Sequence, residues 1–204
     1  MIILSHRGFW RTPDEKNRPV AFERTVAEAF GTETDVRDLV GDLVVSHDPA
    51  LTGAQPWSEV LDLFEGKGLP LAVNVKSDGL SDALARAFAG RDIDWFAFDM
   101  SGPETLRYAT ASLPFLTRHS DIETTPILYD QAAGVWLDSF GPIWFDRSVI
   151  ETHLAAGKRV CVVSPELHGR DPDTLWPLLK GFSDTEGQLM LCTDRPDLAR
   201  SHFA

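Results

Sequence analysis

Three scarcities narrow the classes of protein to which this 204-residue chain can belong. The only two cysteines, Cys161 and Cys192, are too few for a disulfide framework and lie in apolar segments, which predicts buried free thiols. Lys and Arg number 19 against 31 Asp and Glu, and the net charge of −12 argues against nucleic acid and anionic membrane surfaces as partners. No apolar run approaches the roughly 18 residues of a transmembrane helix, so we expect no stable membrane insertion.

The first residues do not resemble a secretory signal. Residues 1–4 are apolar, but no basic region precedes them and polar residues follow at once. Together with the cysteine usage, this favours the cytoplasm. The length allows one sizeable core, and no linker-like stretch interrupts the chain, so we expect a single domain over residues 1–204.

Short apolar segments of strand length alternate with amphipathic segments of helix length. The alternation predicts a parallel α/β fold, and the strand count favours a compact (β/α)₈ TIM barrel. Only four residues separate segments 32–37 and 42–47, too few for a helical crossover, so the second is interpreted as a continuation or extension of the first. The predicted strands are 2–6, 32–37, 42–47, 71–76, 95–100, 115–119, 134–138, 143–145, 159–164 and 188–193, and the predicted helices are 19–30, 57–65, 80–89, 103–110, 148–156, 173–181 and 196–202.

Charged and polar side chains recur at the predicted carboxyl ends of the early strands, the rim at which barrels of this type build their sites. Residues two apart on a strand point to the same face, so each pair within a strand projects together. The residues are His6 and Arg7 after the first strand, Glu33 and Asp35 in the second, His47 and Asp48 after its extension, and Asn74 and Lys76 in the next strand.

These residue types suit phosphoryl chemistry. Carboxylate and amide oxygens are the ligands of Mg²⁺ and Ca²⁺, and basic side chains beside them would hold an anion. Two histidines can exchange protons near neutral pH. Each feature alone is more often structural, and it is their succession on consecutive strands that indicates a site.

The same residues resemble the motifs of the glycerophosphodiester phosphodiesterase family, within the wider group of phospholipase-C-like phosphodiesterases. The resemblance spans the chain, is strong over residues 3–50 and is patchy over 77–187. The motifs are His-Arg-Gly at 6–8, Ala-Phe at 21–22, Glu-x-Asp at 33–35, His-Asp-Pro at 47–49 and Thr-Asp-x-Pro-Asp at 193–197.

The resemblance implies a metal-dependent phosphodiesterase that acts on small glycerophosphodiesters through two histidines. By position, His6 and His47 would be the general acid and base. Arg7 and Lys76 would bind the phosphate of the substrate.

The resemblance also implies a site for Mg²⁺ or Ca²⁺, with one departure. Glu33 and Asp35 would hold the cation, but Asn74 stands where the family has a third carboxylate. The amide oxygen can still coordinate a cation, but it is neutral. We therefore expect weaker metal binding, or a preference for a ligand that brings its own negative charge.

Two other functions stay open. A lyase of the same fold would release a cyclic phosphate instead of adding water. A non-catalytic barrel that binds a phosphate ligand is suggested by Asn74, although such a binder would not need both His6 and His47.

Later rim residues carry weaker expectations. Glu166, His168 and Arg170 stand where the family has a Trp-Thr-Val-Asn segment, and they would form either a substrate-reading cluster or a solvated loop.

Two further rim residues and two helical histidines complete the set. Asp99 would be a metal ligand or a helix cap, and Arg118 would reach a phosphate. His153 and His202 are expected at the surface.

Overall fold

The computed structural model describes residues 1–182 and 187–204, and within them eight parallel strands close into a barrel. Neighbouring barrel strands pair in parallel, β10 returns to pair with β1, and the Ala97–Phe115 bridge joins β6 to the start of β7. The predicted TIM barrel is confirmed. The strands are β1 (Ile2–His6), β2 (Gly31–Leu39), β3 (Asp42–Val45), β4 (Gln55–Pro56), β5 (Leu71–Val75), β6 (Trp95–Phe98), β7 (Leu116–His119), β8 (Gly134–Leu137), β9 (Arg159–Val163) and β10 (Leu189–Thr193), of which β3 and β4 lie outside the barrel.

Helices cover the outside of most barrel strands. Residues 120–133, all of them described, contain no helix, so β7 and β8 are joined by turns. No helix in the described part of the chain is long and apolar enough to cross a bilayer. The helices are α1 (Pro19–Ala27), α2 (Trp57–Phe64), α3 (Ser81–Phe88), α4 (Gly102–Thr110), α5 (Arg147–Ala155), α6 (Trp176–Leu179) and α7 (Pro196–Phe203), with short 3₁₀ turns at Pro13–Glu15, Pro165–His168 and Pro172–Thr174.

The segment after β2 is the second strand of a hairpin, so its interpretation as a continuation of the same strand is wrong. Leu39 pairs with Asp42 across a two-residue turn, and β3 runs antiparallel to β2. Val40 and Gly41 both have positive φ, which is the backbone of the tightest hairpin turns. The hairpin therefore carries the chain back, and the Ser46 amide donates to the Asp35 carbonyl at 3.1 Å.

The predicted strand 143–145 is also wrong. These residues form a loop whose apolar side chains serve packing: Phe145 is buried in the cluster beneath the helices, and the Trp144 indole donates to the Asp138 carbonyl at 2.6 Å.

Large side chains fill the barrel interior. The rings of Phe98 and Trp136 stack there at 3.8 Å between centroids. Cys161 and Cys192 lie in the same cluster as free thiols, as predicted, and burial raises the pKa of both. Two further apolar clusters lie between the barrel and its helices.

His153 is buried, so the expectation of a surface position is wrong. Its Nε2 lies 3.0 Å from Nδ1 of His119 at the end of β7, and its Nδ1 lies 2.8 Å from the Tyr129 hydroxyl. Burial, with a smaller contribution from His119, lowers the pKa of His153 from 6.5 to about 4. The pair of histidines thus fastens α5 to the barrel in the uncharged form.

Gly31 permits a close approach at the start of β2. A Cβ atom there would lie 2.3 Å from Leu4 Cδ2 and 2.7 Å from the Pro70 carbonyl oxygen. We expect Gly31→Ala to lower the free energy of unfolding by about 1–3 kcal/mol, because the neighbouring strands must move apart. Chemical denaturation measures the change. Gly102→Ala is the matched control, because an added Cβ there would lie 3.7 Å from its nearest neighbouring atom. Equal stability of the two variants would contradict the close approach at Gly31.

The low pKa of His153 predicts a pH dependence of stability. Between pH 6.5 and 4 the unfolded chain binds a proton that the folded protein excludes, so stability is complete above pH 6.5 and falls with falling pH. We expect His153→Gln, which keeps hydrogen-bonding groups but does not titrate, to remove up to about 3 kcal/mol of this loss. Urea unfolding of both proteins across this range is the measurement, and parallel pH profiles would refute the assignment.

Candidate active site

The centre of the carboxyl-end rim is the buried carboxylate of Asp35. Arg7 Nε lies 3.0 Å from its Oδ2, and Lys76 Nζ lies 3.4 Å from its Oδ1. The Asn17 amide donates to Oδ2 at 2.7 Å and accepts from the Thr34 hydroxyl at 2.9 Å. Burying a charge is costly without such partners, so this network fixes the side chains of the rim.

The local backbone explains how Arg7 reaches this point. Arg7 and Gly8 both have positive φ (60° and 82°), which turns the chain sharply after β1. Gly8 fits because an added Cβ would lie 2.7 Å from the Cβ of Ala21 in α1. Asn17 also has positive φ, and its backbone amide donates to the Arg7 carbonyl at 2.9 Å. Strained residues of this kind concentrate at functional sites.

Glu33 lies beside this network and is only 1% exposed. Its Oε2 accepts from the Arg7 amide at 3.2 Å and lies 3.8 Å from His6 Nε2. Burial, reinforced by the charge of Asp35, raises the pKa of Glu33 to about 7.

His6 is oriented by a residue at the other end of the chain. Its Nδ1 lies 2.6 Å from Oδ1 of Asp194, which directly follows β10, and Lys16 Nζ lies 3.5 Å from the second oxygen. Burial raises the pKa of Asp194, but the hydrogen bond and charge of His6 and the charge of Lys16 outweigh it and lower the value. Sequence reasoning gave Asp194 no role; its position at the carboxyl end of a predicted strand was the available signal.

The hairpin places His47 near the same rim but in a more open position. Its side chain is 45% exposed, and its Nδ1 lies 2.9 Å from Oδ1 of Asp48. It lines a cleft of about 500 Å³ together with Arg7, Lys16 and Asn17.

Asn74 lies next to Asp35, since the two residues are Cα partners in the β2–β5 ladder. Within the part of the chain that the structure describes, Asn74 Oδ1 and Asp35 Oδ1 are buried and accept no hydrogen bond. Buried oxygens rarely lack a partner, and carboxylate and amide oxygens suit Mg²⁺ or Ca²⁺. Glu33, Asp35 and Asn74 therefore fit a divalent cation.

The third carboxylate of such a site is lacking, however. No group of three or more His, Cys, Asp or Glu side chains arranged to hold a metal ion occurs among residues 1–182 and 187–204.

The far side of the rim holds Arg118 among carboxylates. Its guanidinium contacts Asp99, Glu123 at 3.0 Å and Asp138 at 2.6 Å. All three of its side-chain nitrogens contact carboxylates, and its contact with a phosphate stays a prediction. Asp99 is a partner of Arg118 and does not cap α4, because Ser101 accepts from the first turn of that helix.

The segment after β9 is tied to its neighbours by hydrogen bonds and is not a solvated loop, while a role in reading the substrate stays a prediction. His168 Nε2 lies 2.8 Å from Asp138, and Arg170 donates to carbonyl groups in the loop after β8. Glu166 accepts from Thr193 and from the Asp194 amide. These contacts support the loops that carry the rim.

No protein-family model and no curated protein sequence matches the chain. Solved structures do match. A glycerophosphodiester phosphodiesterase from Agrobacterium tumefaciens aligns at 20% identity and a TM-score of 0.68, over 99% of this chain and 98% of that one. Another, from Parabacteroides distasonis, aligns at 16% identity and 0.67, over 99% and 96%.

A Ca²⁺-dependent phosphatidylinositol-specific phospholipase C from Streptomyces antibioticus is a more distant match. It aligns at 10% identity and a TM-score of 0.55, over all of this chain and 95% of that one. These likenesses agree with the resemblance seen in the sequence motifs. The chain therefore has the TIM-barrel fold of the glycerophosphodiester phosphodiesterases and their phospholipase-C-like relatives.

Proposed function

We propose that this chain is a metal-dependent phosphodiesterase that hydrolyses small glycerophosphodiester-type substrates to an alcohol and glycerol phosphate. The observation that carries the proposal is the convergence of Arg7 and Lys76 on buried Asp35, beside a histidine that a carboxylate orients. The shared fold supports it. The buried free thiols favour the cytoplasm as its location.

Arg7 and Lys76 would bind the phosphate. Their side chains are 22% and 20% exposed and both contact Asp35; Arg7 lines the cleft beside His47, and Lys76 lines a second cavity beside Asn74. A phosphodiester bound beside Asp35 would receive charge-assisted hydrogen bonds from both, and these strengthen as negative charge builds on the phosphoryl oxygens.

His6 and His47 would move the protons. The Asp194 carboxylate at 2.6 Å holds a proton on His6 Nδ1. The lone pair on Nε2 is then free to accept a proton. His6 is therefore the proposed base for the attacking oxygen. His47, at the open edge of the cleft, would protonate the leaving alcohol.

Glu33, Asp35 and Asn74 would hold the divalent cation. When bound, Mg²⁺ or Ca²⁺ would polarise the phosphoryl group and stabilise the charge that develops on it. The protein buries these three side chains, and two of their oxygens, Asp35 Oδ1 and Asn74 Oδ1, accept no hydrogen bond from the residues that the structure describes.

A lyase that releases a cyclic phosphate is the second candidate. The specific observation in its favour is the likeness to the phosphatidylinositol-specific phospholipase C. The same base would then deprotonate a hydroxyl group of the substrate itself. The phosphorus product separates the two reactions.

We expect His6→Ala and His47→Ala each to lower turnover by about 10²- to 10⁴-fold, because each removes a proton-transfer group. Phosphorus NMR of a panel of glycerophosphodiesters, with Mg²⁺, with Ca²⁺ and with chelator, follows the product. A phosphomonoester identifies a hydrolase, and a cyclic phosphate identifies a lyase.

His202→Ala is the control for these variants, since His202 lies on α7 and contacts Trp176. It should keep wild-type turnover. Binding of a diester without any phosphorus product in the wild type would contradict the enzyme proposal and favour the phosphate-binding barrel.

Asp194→Asn tests the orientation of His6. We expect kcat to fall by about 10- to 100-fold, because the amide no longer fixes the proton on Nδ1. KM should change by less than about threefold, since the phosphate-binding residues are untouched. A KM that rises while kcat is unchanged would show that Asp194 serves binding instead.

A further inference from the structure

We infer that this site takes up its divalent cation and the phosphate of its substrate interdependently, so that each binds weakly alone and strengthens the binding of the other. The inference rests on the proposed function, because it concerns the same residues. It follows from the charge balance around Asn74 and from the two competing uses of Asp35.

The pocket around the proposed cation position carries no net negative charge even when both of its carboxylates are ionised. Glu33 and Asp35 supply two carboxylates, and Arg7 and Lys76 supply two positive charges within 3.0 Å and 3.4 Å of Asp35. Asn74 adds none. A carboxylate at that position would leave a net negative pocket, whereas the neutral pocket gives a free divalent cation little net attraction.

The cation and the basic side chains also compete for one carboxylate. Oδ2 of Asp35 is engaged by Arg7 and by the Asn17 amide. Oδ1 accepts no hydrogen bond from any described residue but lies 3.4 Å from the Lys76 ammonium. A cation that binds at Oδ1 alone is therefore placed beside a like charge.

Phosphate removes this conflict. Arg7 and Lys76 both contact Asp35 and are both partly exposed, so an anion that binds beside Asp35 takes them as partners and draws their charge away from it. The anion also adds the negative charge that Asn74 does not provide. Asp35 Oδ1 and Asn74 Oδ1, which accept no hydrogen bond from residues 1–182 or 187–204, are then available to the cation.

Thermodynamic linkage makes the effect reciprocal, since a phosphate that raises the affinity for the cation must itself be bound more tightly when the cation is present. The site would therefore bind the substrate–cation pair and neither component strongly alone.

Isothermal titration calorimetry tests the inference by measuring how the full chain binds Mg²⁺ without and with saturating inorganic phosphate. The heats of a titration without protein are subtracted from each measurement. We expect phosphate to raise the affinity for Mg²⁺ by about tenfold or more. The reverse titration, phosphate without and with Mg²⁺, should give the same factor. An Mg²⁺ affinity that phosphate leaves unchanged would overturn the inference.

Asn74→Asp restores the third carboxylate with almost no change in size. We expect it to bind Mg²⁺ alone about tenfold more tightly and to show a smaller effect of phosphate. Gln131→Glu is the matched control, because it makes the same amide-to-acid change at an exposed residue before β8, at the opposite end of the barrel. It should behave like the wild type; an Asn74→Asp variant that does so as well would count against the inference. If Asn74→Asp does not fold, the wild-type titrations alone decide.

Failure of the inference and failure of the proposed function can be told apart, because inorganic phosphate is not turned over in these titrations. Coupled binding in a protein that hydrolyses no diester supports the inference and contradicts the proposed phosphodiesterase function. Turnover together with uncoupled binding supports the phosphodiesterase and overturns the inference.

Discussion

The burial of one negative charge, on Asp35, is the constraint on which the rest of the site depends. An unpaired charge with no exposure to water costs several kcal/mol, so partners must be brought to it. They come from three different segments: Arg7 after β1, Asn17 before α1 and Lys76 after β5. Neutralising the charge thereby gathers two basic side chains on one rim, where the proposed function uses them to bind phosphate.

The site also depends on closure of the barrel. His6 and Asp194 are 188 residues apart in the sequence and meet only because β10 returns to pair with β1. Glu166, from the segment after β9, accepts from the Asp194 amide and holds that carboxylate in place. The orientation of His6 is thus set by contacts that span nearly the whole chain.

The sequence predicted most of the barrel, because strands covered on both faces are apolar along their length, and it predicted which residues face the rim, because strand periodicity fixes the direction of Glu33 and Asp35. The hairpin was harder to foresee: Val40 is an unusual residue for positive φ, so the turn lacks the common Asn-Gly signal. The partners of Arg118 and Asp194 were not predictable, since they depend on how distant loops pack.

Because of the hairpin, the two histidines of the proposed mechanism are attached to the barrel in different ways. His6 ends a barrel strand that is paired on both sides, whereas His47 follows a ribbon that pairs with the barrel through β2 and packs Val45 against α2. Insertions or deletions in residues 46–54 can move His47 while barrel closure and His6 stay unchanged. Under the proposed mechanism, the ribbon is therefore the part of the rim where the choice of leaving alcohol can change during evolution at little cost to folding.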